Sequence, residues 1–242
     1  MTPGTIYGVG LGPGDPDLMS VRADRLVRCA AHIAYFRKAG RAGRARTIVD
    51  GLLRADVREH PLDYPVTTEI PFADPRYNAL LADFYAGASA HLRDLAQAGA
   101  DVVVLCEGDP FFYGSFMHLH VRLKGEVPVC VVPAITGMSA AWTATGTPVT
   151  WGDDVLTVLA ATLPEAELAQ RMAEADALVV MKIGRNLARV RRALAAAGKA
   201  DRAFLVEYAS MTDERVTPLA EVEADAAPYF SIAIVHGQGR RP

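Results

Sequence analysis

Residues 102–114 read VVVLCEGDPFFYG, and this stretch decides the fold. A continuous apolar run bounded by turn residues is typical of a buried strand in a parallel sheet. The strand should end near Glu107, because Gly108 permits a turn and Pro110 cannot continue a hydrogen-bonded ladder. Open α/β sheets bind their ligands at the carboxyl ends of their strands. By itself the stretch fits a ligand-binding turn and an ordinary strand-to-helix turn equally well.

Composition limits the classes of protein that the chain can represent. It has 242 residues, 51% of them hydrophobic, and a formal net charge of −3. This predicts one large or two small domains with a sizeable core, and it gives no basic field for nucleic acid. No apolar run is long enough to span a membrane, and no secretory signal is recognisable at the N-terminus. The three cysteines are scattered outside any metal or disulfide spacing, which predicts reduced thiols in the cytoplasm.

A glycine-rich loop near the N-terminus invites a nucleotide-binding interpretation. Residues 5–11 are expected to form a first strand, followed by a loop with the sequence GPGDP and a helix over 18–30. The dinucleotide fingerprint G-x-G-x-x-G, started at Gly8 or Gly10, needs glycine at position 13 or 15. Those positions hold Pro13 and Asp15, which remove an amide donor and add a negative charge where a pyrophosphate would bind. Dinucleotide binding is therefore a minor alternative.

A basic segment follows the second predicted strand, residues 31–35. Residues 37–46 contain five cations and no acid, namely Arg37, Lys38, Arg41, Arg44 and Arg46. Such a run is usually a solvated surface. It could also supply counter-charges to a polyanionic small molecule, since arginine binds carboxylates through charge-assisted hydrogen bonds. The segment alone favours the solvated surface.

The rest of the chain continues the alternation of strands and helices. Residues 61–75 contain four prolines and are expected to form a crossover loop, before a helix over 77–98. A helix over 113–124 contains His118 and His120, which would point to different sides and cannot share a metal ion, so no metal site is expected. Proline and glycine at 133–137 predict a hinge between domains 1–132 and 133–242.

The second domain is expected to be a more mixed α/β unit. Its helix after residue 163 should begin with Pro164 as the first helical residue. Strands are expected over 155–161, 177–182, 204–208 and 229–236, and further helices over 138–145 and 187–197. Two α/β domains usually hold a ligand in the cleft where they meet.

Four segments in this order resemble the tetrapyrrole methylases, the S-adenosylmethionine-dependent enzymes of corrin and sirohaem synthesis. They are GVGLGPGDP at 8–16, EGDP at 107–110, the hinge PAITG at 133–137, and Met181 with the sequence EYA at 207–209. Each is weak alone, but their order and spacing cover nearly the whole chain. Further similarity at 64–68, 106–117 and 181–186 favours the members that methylate carbon 20 of a reduced tetrapyrrole. Ala134 departs from the family, which usually has glycine there.

The resemblance implies two α/β domains with the cofactor in the cleft between them, and a cytoplasmic homodimer. It also implies S-adenosyl-L-methionine as cofactor and a tetrapyrrole polycarboxylate as substrate. The implied cofactor contacts are Pro13, Glu107, Gly108, Asp109, Phe112, Thr136, Gly137, Met181 and Ala209. With such a substrate, Arg37, Arg41 and Arg44 become candidate substrate-binding residues.

Several alternatives remain open from the sequence. Methyl transfer from a sulfonium needs positioning more than a nucleophilic triad, and no triad is recognisable. A general base cannot be chosen among Tyr35, Glu107, Tyr113 and His118. Metal-free and cobalt-containing substrates are not distinguished. A nucleotide-dependent oxidoreductase is disfavoured by the missing glycine, and a non-catalytic tetrapyrrole or S-adenosylmethionine binder is the third class.

Overall fold

The computed structural model describes residues 2–67, 70 and 74–241, and the chain divides into two compact units. Unit 1 comprises Met1–Thr136 and unit 2 comprises Gly137–Pro242. Each unit contains its own five-stranded sheet with helices packed on it. The prediction of two α/β domains is thereby confirmed.

Unit 1 alternates strands and helices along the chain. Ser20 caps the first helix, accepting a hydrogen bond from the Ala23 amide at 3.1 Å, and Asp74 with Pro75 begins the long third helix. The elements are β1 (Ile6–Gly10), α1 (Val21–Cys29), β2 (His32–Lys38), α2 (Arg44–Ile48), β3 (Arg58–Tyr64), α3 (Pro75–Gln97), β4 (Val102–Cys106), α4 (Phe116–Leu123) and β5 (Val129–Val132).

The sheet of unit 1 is parallel and has the order β3-β2-β4-β1-β5. Helices α1 and α2 cover one face, and α3 and α4 cover the other. The chain leaves β1 toward β2 on the first face, and leaves β4 toward β5 on the second. The carboxyl ends of β1 and β4 therefore form a topological switch point, where α/β sheets place their ligands.

One prediction for unit 1 is wrong. Residues 61–75 were expected to form a loop, but β3 includes Pro61 and pairs with β2 along its whole length. An edge strand tolerates proline because one side of its backbone needs no ladder partner. Of the remaining loop, residues 68, 69 and 71–73 lie outside the described residues.

Unit 2 has a mixed sheet with the order β6-β7-β10-β8-β9. Its β10 is antiparallel to both β7 and β8, so β6, β7 and β8 end at the same edge. The elements are α5 (Gly137–Ala144), β6 (Leu156–Ala160), α6 (Glu165–Glu174), β7 (Ala177–Met181), α7 (Leu187–Ala196), β8 (Ala203–Glu207), β9 (Arg215–Pro218) and β10 (Ser231–Val235).

Two local predictions for unit 2 need correction. Pro164 precedes α6 as its N-cap rather than opening it, because its ψ of 144° is extended. The short edge strand β9 is absent from the sequence-based prediction, since its four residues RVTP show no apolar alternation. Across the described residues, no helix is both long and apolar enough to cross a membrane.

Candidate functional site

The loops that follow β1 and β4 meet at the switch point of unit 1. The Gly108 amide donates a hydrogen bond to the Gly12 carbonyl at 2.8 Å, and the Leu11 amide donates to the Cys106 carbonyl at 2.9 Å. Pro13 follows as a buried residue of the same loop. The two glycine-containing motifs of the sequence therefore lie side by side.

Asp109 joins this pair of loops to the segment after β5. Its Oδ2 accepts a hydrogen bond from the Ala134 amide at 3.0 Å, and its Oδ1 accepts one from the Phe111 amide at 2.8 Å. The Phe112 amide in turn donates to the Asp109 carbonyl at 3.2 Å. Thr136, at the end of unit 1, is two residues beyond this connection. The unit 1 residues predicted as cofactor contacts are thus brought to one edge of the sheet.

Two positions at this edge require glycine, each for a different physical reason. Gly108 has a φ of +61°, which L side chains rarely adopt, and a Cβ built there would meet no atom within 4 Å. The Gly108 backbone thus borders open space. At Gly10 a Cβ would lie 2.5 Å from the Ala134 Cβ, so close packing of the strand against the hinge requires glycine. The departure at Ala134 causes no strain, because its φ is not positive.

In the part of the chain that the structure describes, four non-glycine residues with positive φ lie in segments that follow strands. Tyr113 (56°) follows β4, Lys182 (58°) follows β7, and Tyr208 (53°) with Ser210 (63°) follows β8. Such backbone strain costs about 1–3 kcal/mol per residue and is concentrated at ligand-binding and catalytic sites. Each of these residues lies in or beside a segment that the sequence analysis identified. Strain was not predictable from the sequence, because none of these residues is glycine or asparagine.

The candidate cofactor residues of unit 2 surround one apolar cluster. Met181 and Ala209, at the ends of β7 and β8, pack with Met138 against buried Ala141 and Val206. Gly137 begins α5, and a Cβ there would be 3.6 Å from the Ile232 side chain. The structure therefore brings Gly137, Met181 and Ala209 to the same side of the unit 2 sheet.

Glu107 lies on the α2 side of the unit 1 sheet. Side chains alternate along β4, so Glu107 continues the face of Val103 and Leu105, against which Ala45 of α2 packs. Its carboxylate accepts a hydrogen bond from the Ala45 amide and faces the positive charge of Arg44. Burial nevertheless dominates and raises the pKa of Glu107 to about 7.

In the fold, acidic side chains from another strand lie beside the basic segment, although the segment itself contains no acid. Arg37 forms an ion pair with Asp63 of β3 at 2.6 Å, and Arg46 pairs with Glu59 at 3.0 Å. Both acids come from the strand that the sequence did not predict. Arg41 and Arg44 are exposed. The segment therefore presents fewer uncompensated charges than its sequence indicates.

The two histidines of α4 have separate environments. His118 stacks on Tyr85 with ring centroids 4.4 Å apart, whereas His120 contacts the edge of Phe111 at 4.8 Å. Burial lowers the pKa of both imidazoles, and Arg122 adds to the effect at His118. Within the part of the chain that the structure describes, no group of three or more His, Cys, Asp or Glu could hold a metal ion.

An aromatic group near the carboxyl ends of β2 and β3 escaped the sequence analysis. Phe36 stacks on Tyr64 at 5.5 Å, and Phe84 of α3 contacts Tyr64 at 5.0 Å. The Tyr64 hydroxyl hydrogen-bonds to Ser115, at the beginning of α4. The available signal was Tyr64 in the segment similar to the family. Its partners could not be inferred while residues 61–75 were taken as a loop.

Comparison with known proteins agrees with this arrangement. The sequence profile of the Tetrapyrrole (Corrin/Porphyrin) Methylases matches residues 5–223. A precorrin-2 C(20)-methyltransferase from Sinorhizobium sp is 52% identical over 240 residues, which are 99% of this chain and 98% of that protein. A cobalt-precorrin-2 C(20)-methyltransferase from Salmonella typhimurium is 30% identical, over 97% of both chains.

A solved structure extends the similarity to three dimensions. The uroporphyrin-III C-methyltransferase from Thermus thermophilus, complexed with S-adenosylhomocysteine, is 26% identical. Its TM-score is 0.66, with 96% of this chain and 97% of that chain covered. The resemblance found in the sequence is thereby confirmed. The chain belongs to the tetrapyrrole (corrin/porphyrin) methylases.

Proposed function

We propose that this chain is an S-adenosylmethionine-dependent C-methyltransferase that methylates precorrin-2 at C20, giving precorrin-3A in cobalamin biosynthesis. The observation that carries the proposal is the 52% identity to a precorrin-2 C(20)-methyltransferase over 99% of the chain. The similarity includes every segment that forms the two strand-end regions. This similarity to a methyltransferase argues against a nicotinamide-dependent oxidoreductase.

The cobalt-containing substrate is the second candidate. The relative named for cobalt-precorrin-2 is 30% identical, against 52% for the relative named for precorrin-2. The difference favours the metal-free substrate. Cobalt would then be absent from the substrate at this step.

The residues present fit the proposed cofactor. The Gly108 backbone borders open space, the strand ends carry strained residues, and unit 2 offers an apolar surface at Met181 and Ala209. Backbone groups and apolar side chains suit an uncharged adenine and a zwitterionic amino acid. We propose contacts from Pro13, Gly108, Asp109, Phe112 and Thr136 in unit 1, and from Gly137, Met181 and Ala209 in unit 2.

The role of these residues is positioning. When bound, S-adenosylmethionine supplies a methyl group on a sulfonium whose leaving group is already activated. Asp109 fixes the loop after β4 through its hydrogen bonds to the Phe111 and Ala134 amides. The Gly12–Gly108 hydrogen bond fixes the loop after β1 against it. Rigid loops reduce the entropy lost in aligning the methyl group with the accepting carbon. No charged nucleophile from the chain is needed.

The substrate side of the proposal is assigned to the basic segment. Arg41 and Arg44 are exposed and could donate charge-assisted hydrogen bonds to tetrapyrrole carboxylates. Arg37 is included, although its pairing with Asp63 reduces the charge that it offers. Solvent screening keeps each exposed contact below about 1 kcal/mol.

We also propose a cytoplasmic homodimer. Exposed apolar side chains on and beside α4 support self-association, with Phe111 47%, Tyr113 46% and Val121 69% exposed. Cys29, Cys106 and Cys130 are free thiols, which supports a reducing compartment.

Product analysis tests the function. Purified protein incubated with S-adenosylmethionine and precorrin-2 should give a tetrapyrrole heavier by one methyl group, with the new methyl at C20. If the protein methylated the cobalt-containing substrate but not precorrin-2, the second candidate function would be assigned instead. Binding of both ligands without methyl transfer would identify a non-catalytic binder and contradict the proposal.

A further inference from the structure

A cavity of unit 2 lies at the sheet edge opposite the residues proposed to contact the cofactor. Strand β10 ends at Val235, which pairs with Ala203 at the beginning of β8, whereas Met181 and Ala209 lie near the other ends of their strands. The cavity, called the β10 cavity below, has a volume of about 310 Å³. Its polar lining side chains are those of Thr147, Arg202, His236, Gln238 and Arg241.

The charge of the β10 cavity is positive. Among the described residues that line it, two are arginines and none is acidic. Arg202 reaches a backbone carbonyl at a long 3.5 Å, and the Arg241 guanidinium lies over the Trp151 ring, 4.6 Å from its centroid. No described carboxylate pairs with either guanidinium, whereas the neighbouring Arg240 pairs with Asp153 at 3.6 Å. Stacking on a ring leaves the N–H donors of a guanidinium free, so the cavity suits an anion.

His236 adds a requirement for a hydrogen-bond donor on that anion. Its Nδ1 lies 3.2 Å from the Pro148 carbonyl oxygen, which can only accept, so the neutral ring carries its proton on Nδ1. The Nε2 is then a lone-pair acceptor, and this buried atom has no hydrogen-bond partner among the described residues. Burial lowers the pKa of His236, which keeps the ring neutral at pH 7 and above. A ligand that completes Nε2 at neutral pH must therefore bring an O–H or N–H group.

We infer that the β10 cavity is a binding site for inorganic phosphate. Hydrogen phosphate has anionic oxygens that two guanidinium groups can bind, and it keeps an O–H that can donate to the His236 Nε2. Sulfate has the same shape but no O–H at neutral pH, and a phosphomonoester loses its last proton at about pH 6. The exposed side chains of Gln238 and Arg241 form the outer wall, and their rotation would open the buried Nε2 to the ligand.

The surroundings of His236 make its protonation the switch between these anions. Residues 145–150, which supply the Pro148 carbonyl, contain no ionisable side chain, and Phe204 of β8 contacts the ring edge at 5.8 Å. The charged groups around the ring are the two arginines and Asp154, whose Oδ2 accepts from the Trp151 and Gly239 amides. Below pH 6.5 a protonated Nε2 becomes a donor, so an anion without an O–H should then be accepted as well.

Calorimetric titration of the whole protein at pH 7.5 and constant ionic strength tests the inference. Inorganic phosphate should bind at one site per chain, and sulfate and methyl phosphate should bind about tenfold more weakly, because they leave Nε2 unpaired. Arg241→Ala should weaken phosphate binding about tenfold through the loss of charge-assisted hydrogen bonds. Arg240→Ala removes the same charge from the adjacent residue and is the matched control. The preference for phosphate over sulfate should shrink as pH falls below 6.5.

His236→Phe tests the role of Nε2 directly. It keeps a ring against Phe204 but removes both nitrogens, so phosphate and sulfate should bind equally weakly at pH 7.5. Arg241→Ala changes an exposed side chain and keeps the test decisive if His236→Phe does not fold.

Three results would each overturn the inference. They are wild type that does not bind phosphate, equal phosphate affinity in Arg241→Ala and Arg240→Ala, and sulfate binding as tightly as phosphate at pH 7.5. The measurement involves neither S-adenosylmethionine nor a tetrapyrrole, so its outcome is independent of the proposed methyl transfer.

Discussion

At the residue scale, Gly108 is the site residue whose backbone the sequence predicted best, and the structure gives the physical reason for a glycine there. The motif indicated glycine for a turn or a close approach, and the φ of +61° assigns the turn. Ala134 is the opposite case. The family usually has glycine at this position, and only the structure shows that the φ of Ala134 is not positive, so that alanine fits without strain. A sequence gives the permitted conformations of a residue, whereas its neighbours select one.

The first prediction concerns cofactor affinity at Gly108. Gly108→Val should weaken S-adenosylmethionine binding at least tenfold, about 1.4 kcal/mol, because its side chain would enter the open space that borders the loop. Gly125→Val is the matched control, since Gly125 has a φ of +91°, also faces open space and lies at the end of α4. Calorimetry should find normal affinity in the control. Equal affinity in both variants would remove this loop from the cofactor site.

The second prediction concerns the stability cost of Glu107. Its folded-state pKa of about 7 lies above the ordinary value of 4.5, so the folded protein binds more protons than the unfolded chain between these pH values. Stability should therefore fall as pH rises from 4.5 to 7. Glu107→Gln avoids this cost and should be more stable than wild type by roughly 1–3 kcal/mol at pH 8. Urea unfolding at pH 5 and pH 8 measures it, and a variant less stable at pH 8 contradicts it.

At the element scale, the strands that sequence-based prediction missed are edge strands. The central strands β1 and β4 were predicted within one residue because they are buried on both faces. Both β3 and β9 contain proline and have half of their backbone groups unpaired, so they show neither apolar runs nor clean alternation. Their identity depends on pairing with β2 and β8, which is information from distant parts of the chain.

Edge strand β3 is held to its neighbours by a row of three histidines. The His32 Nδ1 lies 3.0 Å from the His60 Nε2, and the His60 Nδ1 lies 3.0 Å from the His91 Nε2. Each of these hydrogen bonds requires one proton and one lone pair. The row accommodates one extra proton on an outer nitrogen, but a second would place two protons in one contact.

The third prediction follows from this proton count. Burial, the neighbouring imidazoles and Arg58 lower the pKa of His60, and burial and Arg58 lower that of His32. A lowered pKa of a base means that the stability it contributes above pH 6.5 is lost as pH falls. Urea unfolding of wild type should show declining stability below pH 6.5, and His60→Gln should reduce this slope. Parallel curves for the two proteins would show that acid acts elsewhere.

At the scale of the whole molecule, the order of motifs was more informative than any element. Four short segments predicted the family, whose profile matches residues 5–223, and each of these segments includes or follows the end of a strand. The direction of individual side chains was not predictable. Arg37 and Arg46 find acids on β3, and Glu107 faces α2 rather than the loops, because these contacts depend on how the sheet is ordered.

The last prediction concerns assembly. Sedimentation equilibrium at micromolar concentration should give about twice the chain mass of 25.9 kDa. If the exposed apolar residues on and beside α4 form the contact, Val121→Arg should shift the mass toward monomer, because a buried unpaired cation opposes association. Val21→Arg changes a side chain that is 77% exposed on α1, at the other face of the sheet, and should leave the dimer intact. Wild type sedimenting only at 25.9 kDa would refute the dimer, whereas a dimer unaffected by Val121→Arg would place its contact elsewhere.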